Sequence, residues 1–279
     1  MKKIIGIIGC GNMGSAIAEN LKKDFPIFCF DKDNGKTANS AGVKIAANIE
    51  ELIKGSDVVI LAIKPQDFGA LLEEVKKFES LDKLFISIAA GVTIGYIEQK
   101  LGIARVVRVM PNMPAKIGAG VSCISGGKFA SEEDLDFADE IFDYLGEVII
   151  IKEGLMNAAT AISGSGPAYV CDYIDTERID INNISEDAKK VFIDELEKAA
   201  KGIGFDSETA GVLVKNTFSG TVEFLKKAGI SAQELKKQVT SKGGTTEAAL
   251  AARSRGGSWE EAIKAALKRA EEISRSLSS

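Results

Sequence analysis

The sequence predicts an α/β protein in two parts, a doubly wound parallel sheet over residues 1–153 and an all-helical domain over residues 154–279. In the first part, short and continuously apolar runs alternate with helical patterns, which is typical of a parallel sheet covered by helices on both faces. After Glu153 the strand patterns fade and only helical spacing remains. A length of 279 residues also suits two domains of ordinary size.

The strands and helices of the first part follow from the apolar patterns in chain order. Continuous runs rich in Ile and Val predict strands, which are Lys2–Gly9, Ile27–Asp31, Asp57–Ile63, Lys83–Ala90, Arg105–Pro111 and Glu147–Ile151. Apolar residues three and four positions apart predict the helices Ser15–Lys23, Ile49–Gly55, Phe68–Phe78 and Ile94–Gly102. Strands that alternate with helices in this way pair in parallel.

The second part shows helical spacing in four further segments, which are Val191–Gly204, Ser207–Gly229, Ser231–Val239 and Trp259–Leu277. Their apolar stripes are broad for a unit of this size standing alone. Because a helix must bury its apolar stripe against another element, we expect helix exchange or helix packing between subunits.

Composition and charge exclude several kinds of partner. The net charge is −5 and the pI is about 5.2, so no basic surface is predicted for nucleic acid or anionic lipid. The longest apolar runs, such as Val58–Ile63, are far shorter than the ~20 residues that span a bilayer. The N-terminus lacks the pattern of a signal peptide, and the four cysteines have no CxxC spacing. We therefore expect a soluble cytoplasmic protein that binds no nucleic acid and no membrane.

The chain contains no histidine. This absence excludes Ser-His-Asp and Cys-His nucleophilic catalysis and nearly all zinc sites, and we expect no metal site. Any chemistry must depend on a cofactor, on Lys, Thr, Asp or Glu side chains, or on backbone dipoles.

Three glycines in GxGxxG spacing, Gly9, Gly11 and Gly14, lie between the first predicted strand and the first predicted helix. In a dinucleotide-binding turn they allow a tight turn, close approach of the pyrophosphate and close helix–strand packing. Asp31 ends the next strand, near the spacing of about 20 residues expected for the side chain that reads the adenosine ribose. Glycine-rich turns also join strands to helices for steric reasons alone, but this context predicts dinucleotide binding.

The residues after the second strand leave NADH and NADPH open as cofactors. Asp31 favours the 2′-hydroxyl of NADH, whereas Lys32 and Lys36 could neutralise the 2′-phosphate of NADPH. Equally, the two lysines could belong to a solvated loop.

Further candidate stretches lie at the predicted carboxyl ends of strands, where open α/β sheets bind ligands. Pro65 breaks the third strand within Ala62–Gln66, and the fourth strand ends in small residues over Ser87–Thr93. Two prolines stiffen the segment Arg108–Ala115 on the same edge. Each of the first two stretches, taken singly, is equally compatible with an ordinary turn.

A glycine pair followed by two threonines opens a predicted helix within Val239–Ala252, with Glu247 in its first turn. The amides and hydroxyls of Thr245 and Thr246 would point outward and suit a carboxylate or a phosphate. Taken without context, two threonines that cap a helix are the more common explanation.

Six motifs occur together in this chain: GCGNMG, AIKP, SIAAGVT, MPNMPA, SGSGPAYV and TSKGGTTEAA. In their order and spacing the chain resembles the pyrroline-5-carboxylate reductase family over nearly its whole length. The resemblance implies an N-terminal Rossmann domain and a C-terminal helical dimerisation domain, with homodimers that often assemble into decamers. It implies reduction of (S)-1-pyrroline-5-carboxylate to L-proline with NADPH or NADH, the final step of proline biosynthesis.

The resemblance also implies the residues of the site. The implied cofactor contacts are Ile8, Gly9, Cys10, Gly11, Asn12, Met13, Asp31, Lys32, Asn48, Ala62, Ile63, Lys64, Pro65, Ala89, Ala90 and Gly91. The implied substrate contacts are Glu153, Gln238, Gly243, Gly244, Thr245 and Thr246. Thr246 is implied to be catalytic, and we expect its hydroxyl to hydrogen-bond the imine nitrogen and relay a proton from water.

Two other functions stay open at the level of sequence. A relative of the β-hydroxyacid dehydrogenases would use a catalytic lysine in the helical half, where Lys198, Lys201 and Lys215 are available. Lysines at helical spacing, however, usually form a solvated face. A non-catalytic NAD(P)-binding protein would keep the fold, but it would not need the carboxylate receptor predicted at Gly243–Thr246.

The segment after Val170 departs from the family pattern. In relatives the SGSGPAYV motif continues directly into the helix that starts here at Val191, so residues 171–189 form an insertion into one helix. Lengthening the helix at 1.5 Å per residue would move the rest of the domain away from the sheet. We therefore expect a solvated loop, after which Ser185 caps a restarted helix. The acidic residues of the segment 171–189 lack the spacing of an EF-hand, which argues against a calcium site.

Overall fold

A computed structural model describes residues 2–33, 35, 42–78 and 82–278 of the chain. Within these residues, eight strands form one sheet in the order β3-β2-β1-β4-β5-β6-β7-β8. The strands are Ile5–Ile8 (β1), Ile27–Phe30 (β2), Lys44–Ile45 (β3), Val58–Leu61 (β4), Leu84–Ser87 (β5), Arg105–Pro111 (β6), Gly120–Gly126 (β7) and Gly146–Ile150 (β8).

The strand order reverses at β1, which pairs in parallel with β2 on one side and with β4 on the other. A ligand site is expected at such a reversal, beyond the carboxyl ends of the strands. The doubly wound sheet predicted from the sequence is therefore confirmed, and its topology places the glycine-rich turn at the reversal.

Within the described residues, five α-helices accompany the sheet: Asn12–Leu21 (α1), Ile49–Lys54 (α2), Phe68–Val75 (α3), Ile94–Leu101 (α4) and Glu132–Asp143 (α5). Helices α1 and α5 pack on one face, and α2, α3 and α4 pack on the other. In β1, Ile7 belongs to the first of these cores and Ile8 to the second. Because both faces are covered, successive strand residues are all apolar, which explains the continuous runs in the sequence.

The sheet is mostly parallel rather than wholly parallel. The sequence patterns do not predict β7, which pairs antiparallel with β6 and parallel with β8. Its sequence, GVSCISG, contains glycines and serines that interrupt the apolar run. Helix α5 is also absent from the predicted elements, since its acidic residues outnumber the apolar stripe of Phe137, Ile141 and Phe142. A capping box between Ser131 and Asp134 begins this helix.

Seven further helices follow the sheet: Met156–Ala159 (α6), Gly166–Glu177 (α7), Glu186–Gly202 (α8), Ser207–Ala228 (α9), Ala232–Val239 (α10), Thr245–Ser254 (α11) and Trp259–Ser278 (α12). The helical character predicted for this part of the chain is confirmed. Aromatic rings join the helices, because Phe192 of α8 lies 4.6 Å from Tyr173 of α7, 5.7 Å from Phe218 of α9 and 5.5 Å from Trp259 of α12, measured between ring centroids.

The segment 171–189, predicted to be an insertion that loops out, is helical at both ends. Helix α7 continues to Glu177, and Cys171 and Ile174 are buried in the core of the helical part. The chain turns at Arg178, whose φ of 53° is the one positive value at a non-glycine position among the described residues. The loop therefore starts later than expected, since the polar residues after Cys171 lie on a helix with one buried face. Ser185 accepts a hydrogen bond from the amide of Ala188 and caps α8, as predicted.

The four cysteines, all within the described residues, are buried and form no disulfide bond. Among the described residues, no group of His, Cys, Asp or Glu side chains is arranged to hold a metal ion. Within the same part of the chain, every helix is too short or too polar to cross a membrane.

Candidate active site

The glycine-rich turn between β1 and α1 shows why its glycines are needed. Gly9 has a φ of +101°, and a Cβ there would lie 2.7 Å from the carbonyl oxygen of Ala62. A Cβ on Gly14 would overlap the carbonyl of Gly9. At Gly11, in contrast, a Cβ would meet nothing within 4 Å. Gly9 and Gly14 are thus needed because a side chain at either position would clash with backbone. Gly11 leaves open space that a side chain would fill, and a pyrophosphate-binding turn requires such space.

Asp31, just after β2, is only 8% exposed and holds this turn. Its Oδ2 accepts the amide of Cys10 at 2.7 Å, and its Oδ1 accepts the amide of Asp33 at 2.9 Å. A carboxylate has about four lone-pair positions, so Asp31 can still accept a ribose hydroxyl. Lys32 is exposed and pairs with Asp67 at 3.3 Å. Lys36, the other candidate for a 2′-phosphate, lies outside the described residues.

The remaining predicted cofactor residues follow the carboxyl ends of neighbouring strands. Ile8 ends β1, the segment Ala62–Pro65 follows β4, and Ala89–Gly91 follows β5. These strands are adjacent and parallel, so their ends meet at one edge of the sheet. Asn48 lies at the start of α2, where its side chain accepts the amide of Glu51 at 2.8 Å. Asn12 and Met13 form the first turn of α1.

The predicted substrate residues Gly243 to Thr246 lie at the start of α11, which begins after Gly244. The first helical hydrogen bond at this end of α11 is donated by the amide of Ala248 to the carbonyl of Gly244. The preceding amides, those of Thr245, Thr246 and Glu247, therefore have no acceptor within the helix. Thr246 is 4% exposed, and its hydroxyl lies 3.4 Å from the carbonyl of Val239. The free amides and the dipole of the helix suit a carboxylate.

A chain of contacts joins this helix start to the edge of the sheet. The hydroxyl of Thr245 lies 2.9 Å from the hydroxyl of Ser165. Before Ser165, residues Thr160–Gly164 form a π-helical turn, a feature often found at functional sites. Gly164 lies so close to Met110 of β6 that a Cβ would be 2.8 Å from the methionine methyl group. The SGSGPAYV, MPNMPA and GGTT motifs are therefore packed together.

Glu153 links the same sheet edge to the helical part. Its Oε1 accepts the amide of Ile94 at the start of α4 at 2.6 Å and lies 3.5 Å from Nη1 of Arg108. The Arg108 side chain is 3% exposed. Burial lowers the pKa of Arg108, and the adjacent carboxylate of Glu153 opposes that shift. Ser87 of β5 and Arg108 of β6 are paired in the sheet, and Oγ of Ser87 and Nη2 of Arg108 have no hydrogen-bond partner among the described residues.

Sequence patterns did not single out a buried polar network around Asn112. Its Nδ2 donates to Ser163 at 3.2 Å and to Thr217 at 3.4 Å, and its Oδ1 accepts the amide of Val121 at 2.9 Å. The network ties β7, the π-helical turn and α9 to the end of β6. The asparagine between two prolines was the available signal, but its partners are distant in the sequence.

Some predicted residues are not drawn into this cluster. Gln238 is exposed near the end of α10. The three lysines of the dehydrogenase alternative lie on the surface: Lys198 is 78% exposed beside Glu260, Lys215 is 64% exposed beside Glu197, and Lys201 is exposed. A surface lysine paired with a carboxylate is a poor candidate for catalysis.

Two known families match parts of the chain. The family described as NADP oxidoreductase, coenzyme F420-dependent, matches residues 4–91. The family described as pyrroline-5-carboxylate reductase dimerisation matches residues 190–277. The second match begins directly after residues 171–189, the segment predicted from the sequence to be an insertion.

Individual proteins resemble the chain over nearly its whole length. Pyrroline-5-carboxylate reductase 2 of Bacillus subtilis is 32% identical over 262 residues, which cover 90% of this chain and 87% of that protein. The structure of a pyrroline-5-carboxylate reductase from Coxiella burnetii superposes with a TM-score of 0.65 at 29% identity, covering 98% of this chain and 99% of the other. The Plasmodium falciparum pyrroline carboxylate reductase with NADP bound gives a TM-score of 0.62 at 29% identity, covering 98% and 100%.

Proposed function

The chain belongs to the pyrroline-5-carboxylate reductase family, and we propose that it reduces (S)-1-pyrroline-5-carboxylate to L-proline with NADPH or NADH, the final step of proline biosynthesis. One observation carries the proposal: the free amides and the two threonines at the start of α11 are joined, through Ser165 and Gly164, to Met110 of β6. The carboxyl ends of β6 and of β1, which leads into the glycine-rich turn, lie at the same edge of the sheet. A receptor for a carboxylate is thus connected to the sheet edge that carries a turn suited to a dinucleotide.

The cofactor-binding role rests on the glycine-rich turn and on Asp31. The open surface at Gly11 and the free amides at the start of α1 fit a pyrophosphate. Asp31, which fixes the turn through the amide of Cys10, fits an adenosine ribose. The segments Ala62–Pro65 and Ala89–Gly91 then line the path toward the nicotinamide end. The NADP bound to the Plasmodium falciparum relative supports this assignment.

The substrate is a cyclic imine that carries one carboxylate. We assign the carboxylate to the amides of Thr245, Thr246 and Glu247, where the helix dipole favours negative charge. This orientation places the ring beside the hydroxyl of Thr246. Glu153, held by Arg108 and the Ile94 amide, is the further proposed substrate contact. Gln238, which is exposed near the end of α10, stays a prediction from the family resemblance alone.

The chain's own contribution to the reaction is binding, orientation and proton supply. A bound nicotinamide cofactor supplies the hydride that reduces the C=N carbon. The Thr246 hydroxyl donates a hydrogen bond to the imine nitrogen and relays to it, from water, the proton that this nitrogen keeps in proline, so that Thr246 itself is unchanged after the reaction. Positioning of this kind provides up to ~7–11 kcal/mol of rate enhancement, so a site without histidine is sufficient.

The helical part supports self-association, since it matches a family described by its dimerisation. We propose a homodimer built by this part, with dimers that assemble into decamers, and a cytoplasmic location. The net charge of −5 is consistent with partners other than nucleic acid or anionic membranes.

Monitoring NADPH and NADH oxidation with pyrroline-5-carboxylate tests the proposed activity. We expect oxidation with the imine, matched by formation of proline, and no cofactor reduction with 2-hydroxyacids. Activity on a 2-hydroxyacid without activity on the imine would instead identify a dehydrogenase. Cofactor binding without either activity would identify a non-catalytic protein.

A further inference from the structure

A lysine far from the glycine-rich turn in sequence reaches that turn in space. Lys116 belongs to the 3-10 turn Met113–Ile117, between β6 and β7. Its ammonium Nζ donates to Oδ1 of Asn12 at 3.1 Å, although the two residues are 104 positions apart. Asn12 is the first residue of α1 and directly follows Gly11.

The turn that carries Lys116 is fixed against the side of α1. Nδ2 of Asn20 in α1 lies 3.5 Å from the carbonyl of Ala115, and the buried Ala115 packs into the same core as Ile17 and Leu21. The turn that carries Lys116 is therefore packed against α1, and Asn12 accepts a hydrogen bond from the end of the Lys116 side chain.

Among the described residues, no carboxylate pairs with the charge of Lys116. Partial burial lowers the pKa of its ammonium group. The first turn of α1 contains no acidic residue, and no side chain caps the helix at Gly11. A partly buried cation beside a free helix N-terminus favours an anion at this place.

We propose that Lys116 is a further cofactor-binding residue, whose ammonium, oriented by Asn12, contacts the pyrophosphate of NADH and NADPH alike. The inference rests on the proposed function, since it assumes a dinucleotide at the turn. The pyrophosphate is the part of the cofactor that lies at the start of α1, whereas a 2′-phosphate lies near Asp31 at the end of β2. Lys116 lies outside the region that matches the NADP oxidoreductase family, which ends at residue 91.

Cofactor titration of the full-length protein, without substrate, tests the role of Lys116. The variants are Lys116→Gln, Lys116→Arg and the control Lys23→Gln. Lys23 is an exposed lysine just beyond the opposite end of α1, so its replacement makes the same change in net charge. Dissociation constants for NADPH and NADH are measured by fluorescence at two salt concentrations, and thermal melting checks the fold of each variant.

We expect Lys116→Gln to weaken binding of both cofactors by about tenfold, the effect of losing one charge-assisted hydrogen bond. Lys116→Arg and Lys23→Gln should bind almost as the natural protein does. The affinity of the natural protein should also fall more steeply with salt than that of Lys116→Gln, because one ion contact is lost in the variant.

Three outcomes would overturn the inference while leaving the proposed function intact. These are equal affinities for Lys116→Gln and the natural protein, a loss confined to NADPH, or an equal loss in Lys23→Gln. If Lys116→Gln does not fold, Lys116→Met replaces it in the titration. A folded Lys116→Met variant with natural cofactor affinity and natural salt dependence would likewise overturn the inference. Failure of the natural protein to bind either cofactor would instead contradict the proposed function itself.

Discussion

At the scale of single residues, the two threonines at the start of α11 have different surroundings. The Thr245 hydroxyl is engaged with Ser165 at 2.9 Å, a normal hydrogen-bond length. Among the described residues, the hydrogen-bond contact of the Thr246 hydroxyl is a long one, 3.4 Å to the carbonyl of Val239. Replacing the long contact of Thr246 by a hydrogen bond to substrate loses little binding energy, so we assign to Thr246 the role of donor to the imine nitrogen. We assign to Thr245 the role of holding the start of α11 against Ser165.

Replacement of Thr246 by Ala should lower kcat/KM for pyrroline-5-carboxylate at least about tenfold, equivalent to roughly 1.4 kcal/mol of transition-state stabilisation. Cofactor affinity should stay unchanged, because Thr246 is assigned to the substrate alone. Thr246→Ser keeps the hydroxyl and should keep most of the activity. Steady-state kinetics on the three proteins checks this, and an alanine variant with natural kcat/KM would remove Thr246 from the mechanism.

Sequence motifs predicted those site residues whose surroundings are defined by a strand–turn–helix pattern. Gly9, Gly14 and Asp31 belong to this group. The partners of the site residues were not predictable in this way. Ser165 and Thr245 are 80 positions apart, and Asn112 and Thr217 are 105 positions apart, so only tertiary packing brings each pair together.

At the scale of secondary-structure elements, α7 and α10 are joined by a partly buried ion cluster. Nζ of Lys236 in α10 lies 3.2 Å from Asp172 and 3.0 Å from Asp175, both in α7. Burial alone would lower the pKa of Lys236, but hydrogen bonds to Asp175 and Asp172 raise it above its ordinary value of 10.5. The cluster fixes α10 just before Thr240–Gly244, the segment that leads to the proposed carboxylate receptor.

Replacement of Lys236 by Met should lower the free energy of unfolding by about 1–3 kcal/mol, because it leaves two partly buried carboxylates without their cation. Since folding raises the pKa of Lys236, the stabilisation is fully present below pH 10.5 and is lost only as the pH rises through the folded-state pKa. Urea unfolding at neutral pH measures the difference. Lys237→Met, at the exposed neighbouring position in α10, is the matched control, and equal losses in both variants would contradict the assignment.

The same cluster explains why the sequence placed the loop too early. Asp172 and Asp175 resemble solvated residues in the sequence, yet they lie on the face of α7 that meets Lys236. Cys171 and Ile174 complete the buried side of this helix. Polar residues with a distant partner look like loop residues when only the local pattern is available. The cap at Ser185 was predictable, because a cap depends on residues three positions away.

At the scale of the whole molecule, the sheet and the helices are in contact beside the proposed site. Gly91, after β5, lies against Ile273 and Leu277 of α12, and Gly164 lies against Met110 of β6. Helices α7 and α8 flank the predicted insertion and belong to the core of the helical part. The chain reverses at Arg178, so that Tyr173 stacks on Phe192 and donates to the carbonyl of Ala188 at 2.9 Å. The proposed insertion is thus folded into the helical core.

Deletion of residues 171–189 should therefore destabilise the protein. The deletion removes the buried Cys171 and Ile174 and leaves Lys236 without its carboxylates, so we expect a loss of at least about 3 kcal/mol in the free energy of unfolding, together with loss of reductase activity. Asn182→Ala, in the exposed part of the loop, is the control and should melt as the natural protein does. Thermal melting, size-exclusion chromatography and the reductase assay measure the effect on stability, self-association and activity. A deletion variant that keeps its melting temperature, its oligomeric state and its kcat/KM would show that the fold does not need these residues. In that case the remaining part of α7 would have to connect to α8 without the turn at Arg178.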